Sequence, residues 1–136
     1  MIYDLRLMIW IGAGITQSMT KEELKERTMI FAVRVLKMAD ALPKSVAGRT
    51  VANQISRSGC SVAANYRAAL RGKSRADFIN KITTVLEEAD ETAFWIELTE
   101  RAALLPAAKL RKLFTEAEEL TKIFNSTRST ARNRKS

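Results

Sequence analysis

Only two prolines, Pro43 and Pro106, and five glycines interrupt the 136 residues, and long stretches between them repeat apolar side chains at three- and four-residue spacing. A β-rich fold needs far more turn chemistry than this. Ala, Leu, Glu, Lys and Arg dominate instead, and these side chains lose little freedom in a helix. The chain is therefore expected to be all-α, and its length suits one hydrophobic core rather than two.

The punctuation divides the pattern into four helical segments. The first runs from about Thr20 to Leu42. Thr20 with Glu23 forms a capping box, and Glu22 favours the positive helix end. Leu24, Phe31, Val35, Met38 and Leu42 make its buried stripe, and Pro43 ends it. The second runs from Val46 or Ala47 to Leu70 and stops at Gly72. Its core arc is Val51, Ala52, Ile55, Gly59, Val62, Ala63, Tyr66 and Leu70. The third starts at the capping Ser74, with Asp77 in its first turn. It continues through Phe78, Ile82, Val85, Ala89, Ala93 and Ile96 to about Leu105. The fourth begins at Pro106 and buries Leu110, Leu113, Phe114, Ala117, Leu120 and Phe124. Connections this short force antiparallel neighbours, so an up-down-up-down four-helix bundle over residues 20–127 is expected.

The flanks read differently. Residues 128–136 carry Arg128, Arg132, Arg134 and Lys135 among Ser, Thr and Asn, with almost nothing to bury, and are expected to be a disordered basic tail. Residues 1–19 are read as an extension ahead of a natural start at Met19, extra translated or disordered sequence. The apolar run 7–15 in it is too short to span a membrane and has no signal-peptide flanks. Gly12-Ala13-Gly14 follows no expected strand and lacks a phosphate-loop continuation.

The formal net charge is +8, which favours an anionic partner such as nucleic acid. Arg49, Arg57, Arg67 and Arg71 fall within about 80° of one another on the second helix, and that segment, with Lys44 and Lys73, holds six basic residues and no acidic one. The third helix reverses the balance with Asp77, Glu87, Glu88, Asp90, Glu91, Glu97 and Glu100. Two readings follow. The arginines, with Lys73, Arg128 and Arg132, form a surface that tracks phosphates of RNA or DNA. Alternatively they pair with Glu88, Glu91 or Glu97, within a subunit or between subunits, and the protein is an interaction scaffold that binds no nucleic acid. The third helix also has a second apolar strip, Phe94, Trp95, Leu98, Ala102 and Leu105, apart from its core arc. With Glu88 and Glu91 beside it, this strip is expected to be a subunit interface of a homo-oligomer.

Nothing in the sequence assembles an active site. There is no His to act as general base, and Cys60, the one cysteine, has no partner to activate it. Glu87, Glu88, Asp90 and Glu91 diverge around the helix, and the Glu-x-x-His pairs of bundle metal sites are absent. No enzyme activity, metal or cofactor is expected. A lone thiol fits a reducing cytoplasm.

The run Leu42-Pro43-Lys44-Ser45, Gly48-Arg49, Asn53-Gln54-Ile55-Ser56-Arg57-Ser58-Gly59, Ser61-Val62 and Ala64-Asn65-Tyr66-Arg67-Ala68-Ala69 resembles the signature of the 23S rRNA intervening-sequence, or S23-like ribosomal, protein family. Ser74-Arg75-Ala76-Asp77-Phe78, Lys81, Glu87-Glu88-Ala89-Asp90-Glu91 and Trp95-Ile96-Glu97-Leu98 are similar to its third helix. The resemblance implies a four-helix bundle in a homo-oligomeric, typically pentameric, ring. It brings in the accessory variability protein of diversity-generating retroelements, a basic bundle that binds nucleic acid and a reverse transcriptase, and so implies such partners here. It would assign functional weight to Gln54, Arg57, Ser61, Asn65, Arg67 and Arg71. Many relatives read Asn-x-Ala-Glu-Gly where this chain reads Asn65-Tyr66-Arg67-Ala68-Ala69, which marks a more basic branch.

Overall fold

The computed structural model describes residues 7–11 and 15–134. Four helices make the body: α1 (Lys21–Ala41), α2 (Val46–Leu70), α3 (Arg75–Arg101) and α4 (Ala107–Asn133). Helix α1 packs on α2, α2 on α3 and α3 on α4, and α4 returns to α1, so α1 and α3 stand diagonally. This is the four-helix bundle that the spacing predicts. No helix among the described residues is long and apolar enough to cross a membrane.

The helix starts follow side-chain chemistry. The Thr20 hydroxyl accepts from Glu23 N at 3.1 Å, Ser45 Oγ from Gly48 N at 3.1 Å and Ser74 Oγ from Asp77 N at 3.0 Å, each satisfying an N–H that the helix leaves unpaired. Pro106 occupies the N-cap of α4, one residue ahead of the first helical position expected for it.

Two helix ends differ from expectation. Helix α3 stops at Arg101 rather than near Leu105 because Ala103 adopts a left-handed conformation, φ 54°. Ala103 N then donates to Glu100 O at 3.0 Å and Leu104 N to Thr99 O at 3.0 Å, the reciprocal pair of a Schellman stop. The expected disordered tail is also corrected, since α4 continues through Arg128 and Arg132 to Asn133. Thr127 and Ala131 are buried, and Arg75 caps the helix from α3, its Nε donating to Ala131 O at 2.8 Å and its Nη2 to Arg132 O at 3.1 Å. Cationic side chains at a helix C-terminus satisfy the last carbonyls and oppose the negative dipole end.

Ahead of α1, β1 (Leu7–Ile11) and β2 (Ile15–Met19) pair antiparallel, Leu7 opposite Met19 and Ile11 opposite Ile15, and β1 runs beside α4. The sequence reading assigned no element there. Leu7-Met8-Ile9-Trp10-Ile11 is nonetheless rich in strand formers. Gly12-Ala13-Gly14 does follow a strand, β1, and those three residues lie outside the described ones.

In the core, Phe31 and Val35 of α1 meet Ile55, Val62 and Tyr66 of α2, with Phe78, Ile82 and Ile96 of α3 and Leu120 and Phe124 of α4 completing it. Tyr66 is fully buried, stacks obliquely on Phe124 with ring centres 5.4 Å apart, and donates its hydroxyl to Lys21 O at 3.3 Å. Burial, and then the charge of Glu22, push its phenol well above the ordinary value of 10.0. The α4–α1 seam is tied by Arg27, whose Nε and Nη2 reach the two carboxylate oxygens of Glu116 at 2.7 and 2.8 Å. At Gly59 the α1 and α2 backbones come close, and a Cβ there would lie 2.6 Å from Val35 Cγ1.

Three outcomes are expected. Ala103→Gly relieves a left-handed Cβ and should raise stability by about 1 kcal/mol, read from the urea midpoint. Gly59→Ala should lower stability by about 1–3 kcal/mol although Ala is the better helix former, since Val35 is buried and stiff at χ1; pairing it with Val35→Ala should recover part of the loss. Because the folded phenol is raised, Tyr66 contributes its full stabilisation below pH 10.0 and loses it as pH climbs beyond. In a Tyr3→Phe chain, phenolate absorbance should therefore rise together with the loss of helical circular dichroism, and not before it.

Candidate nucleic-acid and assembly interfaces

The arginines that share one arc of α2 in the sequence do not share one environment. Arg49 and Arg71 stand about 33 Å apart along the helix axis, near opposite ends of the bundle. Arg49 Nη1 folds back to Lys44 O at 2.7 Å, on the α1–α2 turn. Arg57, at mid-helix, is engaged by α3: its Nη1 donates to Glu88 Oε2 at 2.9 Å and its Nη2 bonds Glu91 Oε2. Its guanidinium pKa is raised by the Glu91 hydrogen bond first and the Glu88 charge second. The pairing reading of the arginines therefore describes Arg57, and the contact lies within one chain.

The other cations expected to contact phosphate lie toward the end of the bundle where α2 and α4 finish and α1 and α3 begin, while Arg34, Lys37, Lys109 and Lys112 surround a hollow at the opposite end. Arg71 is the C-cap of α2, Lys73 sits in the following turn, and both are exposed. Arg128 and Arg132 are carried to the same end by α4, held there by the Arg75 bonds to Ala131 and Arg132. Arg128 donates to Asn125 Oδ1 at 3.3 Å. Lys21, Lys25, Arg67 and Arg71 surround a hollow of about 260 Å³ between α1 and α2, with Glu22 the one carboxylate among its lining residues. Asp77 is a local counter-charge. The Lys73 backbone N–H, and then the Lys81 side chain, hold its carboxyl below its ordinary value. Two positive helix ends, those of α1 and α3, point the same way.

Among the other residues marked by the resemblance, Asn65 donates to Ser61 O and Ser61 Oγ at 2.9 and 2.7 Å, a local arrangement on α2, and Gln54 is exposed. Arg67 is half-buried, and its Nε is buried with no acceptor among the described residues.

The α3 strip is split. Trp95 is half-buried against the core, its indole N–H donates to Glu91 Oε2 at 3.1 Å, and its ring meets Phe94 edge-on at 4.9 Å. Leu105 also packs on the core. Phe94, at 55% exposure, and Leu98 remain outward with Ala102. Glu88 and Glu91, grouped with this interface in the sequence reading, are the acceptors of Arg57. A second outward apolar face, not expected from the sequence, lies on α1 and is formed by Met29, Ile30, Val33 and Leu36. Its signal was present as a second helical spacing beside the core stripe.

Among the described residues, no group of three or more His, Cys, Asp or Glu side chains could hold a metal ion. Cys60 is half-buried on α2.

Comparison with known proteins agrees with the bundle. Residues 20–126 match the profile of the 23S rRNA-intervening sequence protein family. No curated protein matches. The crystal structure of a protein with unknown function from the S23 ribosomal protein family of Bacteroides thetaiotaomicron superposes with a TM-score of 0.75 at 34% sequence identity, covering 81% of this chain and 98% of that one. Neither match is specific to the retroelement accessory proteins. With its signature residues on α2 and α3 and a fold shared over nearly the whole of that structure, the chain belongs to the 23S rRNA-intervening sequence protein family.

Proposed function

We propose that this protein is a non-catalytic, self-associating bundle that binds the phosphate backbone of structured RNA or DNA through one cationic end. The observation that carries the reading is the convergence of Arg71 and Lys73 with Arg128 and Arg132, two sequence-distant groups brought to one end by the antiparallel topology and the Arg75 cap. No ion pair joins any of the four to a carboxylate among the described residues. Cations at the ends of α2 and α4 also offset the helix dipoles. That need accounts for one or two charges at each terminus, and the Lys21, Lys25 and Arg67 group beside them exceeds it. Self-association through the outward Phe94 and Leu98, in the ring that the family resemblance implies, would repeat the cationic end around an axis and multiply weak phosphate contacts. The scaffold reading draws support from Arg57 alone, whose charge is spent on Glu88 and Glu91.

Fluorescence anisotropy with RNA and DNA hairpins across a salt series tests this. Four phosphate contacts per subunit predict a log–log salt slope of about −3.6 on a duplex stem. Arg71→Ala and Arg132→Ala should each reduce it by roughly 1, whereas Arg57→Ala should leave it unchanged. Absence of binding at low salt, or a loss at Arg57 equal to that at Arg71, would sink the reading.

A further inference from the structure

The α1–α4 seam changes character along its length. Toward the start of α1, Arg27 bonds both carboxylate oxygens of Glu116 and lies 3.8 Å from Glu119. About two helical turns further on, antiparallel packing sets Arg34 of α1 and Lys109 of α4 around one hollow. A cation thus stands on α4 where the earlier register has a carboxylate. Each is joined one turn on by a second cation, Lys37 after Arg34 and Lys112 after Lys109, and the hollow they surround measures about 360 Å³. Arg34 is half-buried and the three lysines are exposed.

No carboxylate lines this hollow. Glu116 lies one turn from Lys112, but Arg27 takes both of its oxygens. Asp40 lies one turn from Lys37, on a flank about 120° from Arg34. None of the four cations joins an ion pair among the described residues. Arg34 and Lys37, near the end of α1, sit where the helix dipole favours positive charge. Lys109 has the opposite placement. Pro106 supplies no side-chain cap and the first turn of α4 holds no acid, so Lys109 stands at the positive end of its own helix, where a cation is disfavoured. The bundle therefore holds like charges together at a cost to its own stability.

The floor of the hollow is apolar, with Met38 and Leu113 buried beneath it and Leu105 half-buried. A phosphate backbone gains nothing from such a floor, whereas a segment that carries both carboxylates and an apolar side chain matches floor and rim together. We propose that the hollow docks an acidic, amphipathic segment of a partner protein. One apolar side chain of that segment sits on the Met38–Leu113 floor, and its carboxylates meet Arg34, Lys37, Lys109 and Lys112. The site lies at the opposite end of the bundle from the proposed phosphate surface and does not depend on it.

Fluorescence anisotropy with a labelled synthetic peptide tests this, the peptide being about 12 residues long with leucines at three- and four-residue spacing among glutamates. The full-length protein should bind it, and Arg34→Gln/Lys109→Gln should weaken binding about tenfold or more. Arg111→Gln removes a charge from the same helix on a face about 160° away and should leave binding unchanged. A peptide with serine in place of leucine should bind about tenfold more weakly. Lys109→Glu distinguishes a docking site from a structural lysine. It sets a carboxylate against Arg34, so it should raise the urea midpoint while it abolishes peptide binding. Absence of binding at low salt, equal binding of the serine peptide, or a lowered midpoint in Lys109→Glu overturns the proposal. An equal loss of RNA-hairpin and peptide affinity in Arg34→Gln/Lys109→Gln also overturns it, and makes the hollow a second phosphate site. So does a change of mass by light scattering in that variant, which puts another copy of the chain in the hollow.

Discussion

Three consecutive residues of α2 fix that helix against both of its neighbours, and the rest of the bundle is arranged around them. Gly59 lacks the Cβ that would strike Val35, so α1 lies close on one side. Ser58 is buried, and its hydroxyl lies 2.8 Å from that of Thr92 on α3. Arg57 spans to Glu88 and Glu91 on the same neighbour. An apolar close approach tolerates almost no change in volume, and buried hydroxyls must keep a partner. The exposed ion pair adds little energy but selects the rotation of α3 that brings its acids to α2. With α2 held on both sides, α3 positions α4, and the Arg27–Glu116 pair ties α4 back to α1.

That arrangement partitions the charge. The acidic side chains of α3 are divided between Glu88 and Glu91, which take Arg57 of α2, and Glu97, which pairs with Arg101 of its own helix. The arginines of α2 divide in the same way, with Arg57 spent internally, Arg67 half-buried at the head of an apolar groove and Arg71 free at the bundle end. A pattern that looks on a helical wheel like one phosphate-binding stripe becomes three separate devices. The proposed nucleic-acid surface therefore sits at an end of the bundle, where residues 71–73 and 128–132 meet.

Much of the bundle was legible because its signals are local. Thr20 and Ser74 cap through their own hydroxyls to N–H groups three residues on, so the residue type announces the geometry. The core stripes of Leu24, Phe31 and Val35, or of Phe78, Ile82 and Val85, follow from period alone. The stop of α3 was not legible, since Ala103 gives no hint of a left-handed conformation that glycine would have advertised. Nor was the order of α4 beyond residue 127. The groups that hold it are the side chain of Arg75 and carbonyls 56 and 57 residues away, and composition registers only a polar, basic segment. The outward face of α1 was present in the spacing of Met29, Ile30, Val33 and Leu36, yet a helix with two apolar faces does not say which one its neighbours cover.

Periodicity, caps and short connections act over a few residues, so the helices, their antiparallel order, the core face of each and the family could be read from residue order. It also determined that one helix would be basic and another acidic. Which charges meet is a matter of how the helices pack. Ion pairing depends on the axial offset and rotation between helices, quantities set by the packing of Gly59, Val35 and the Ser58–Thr92 contact. A helical wheel, which collapses position along the axis, cannot carry that information.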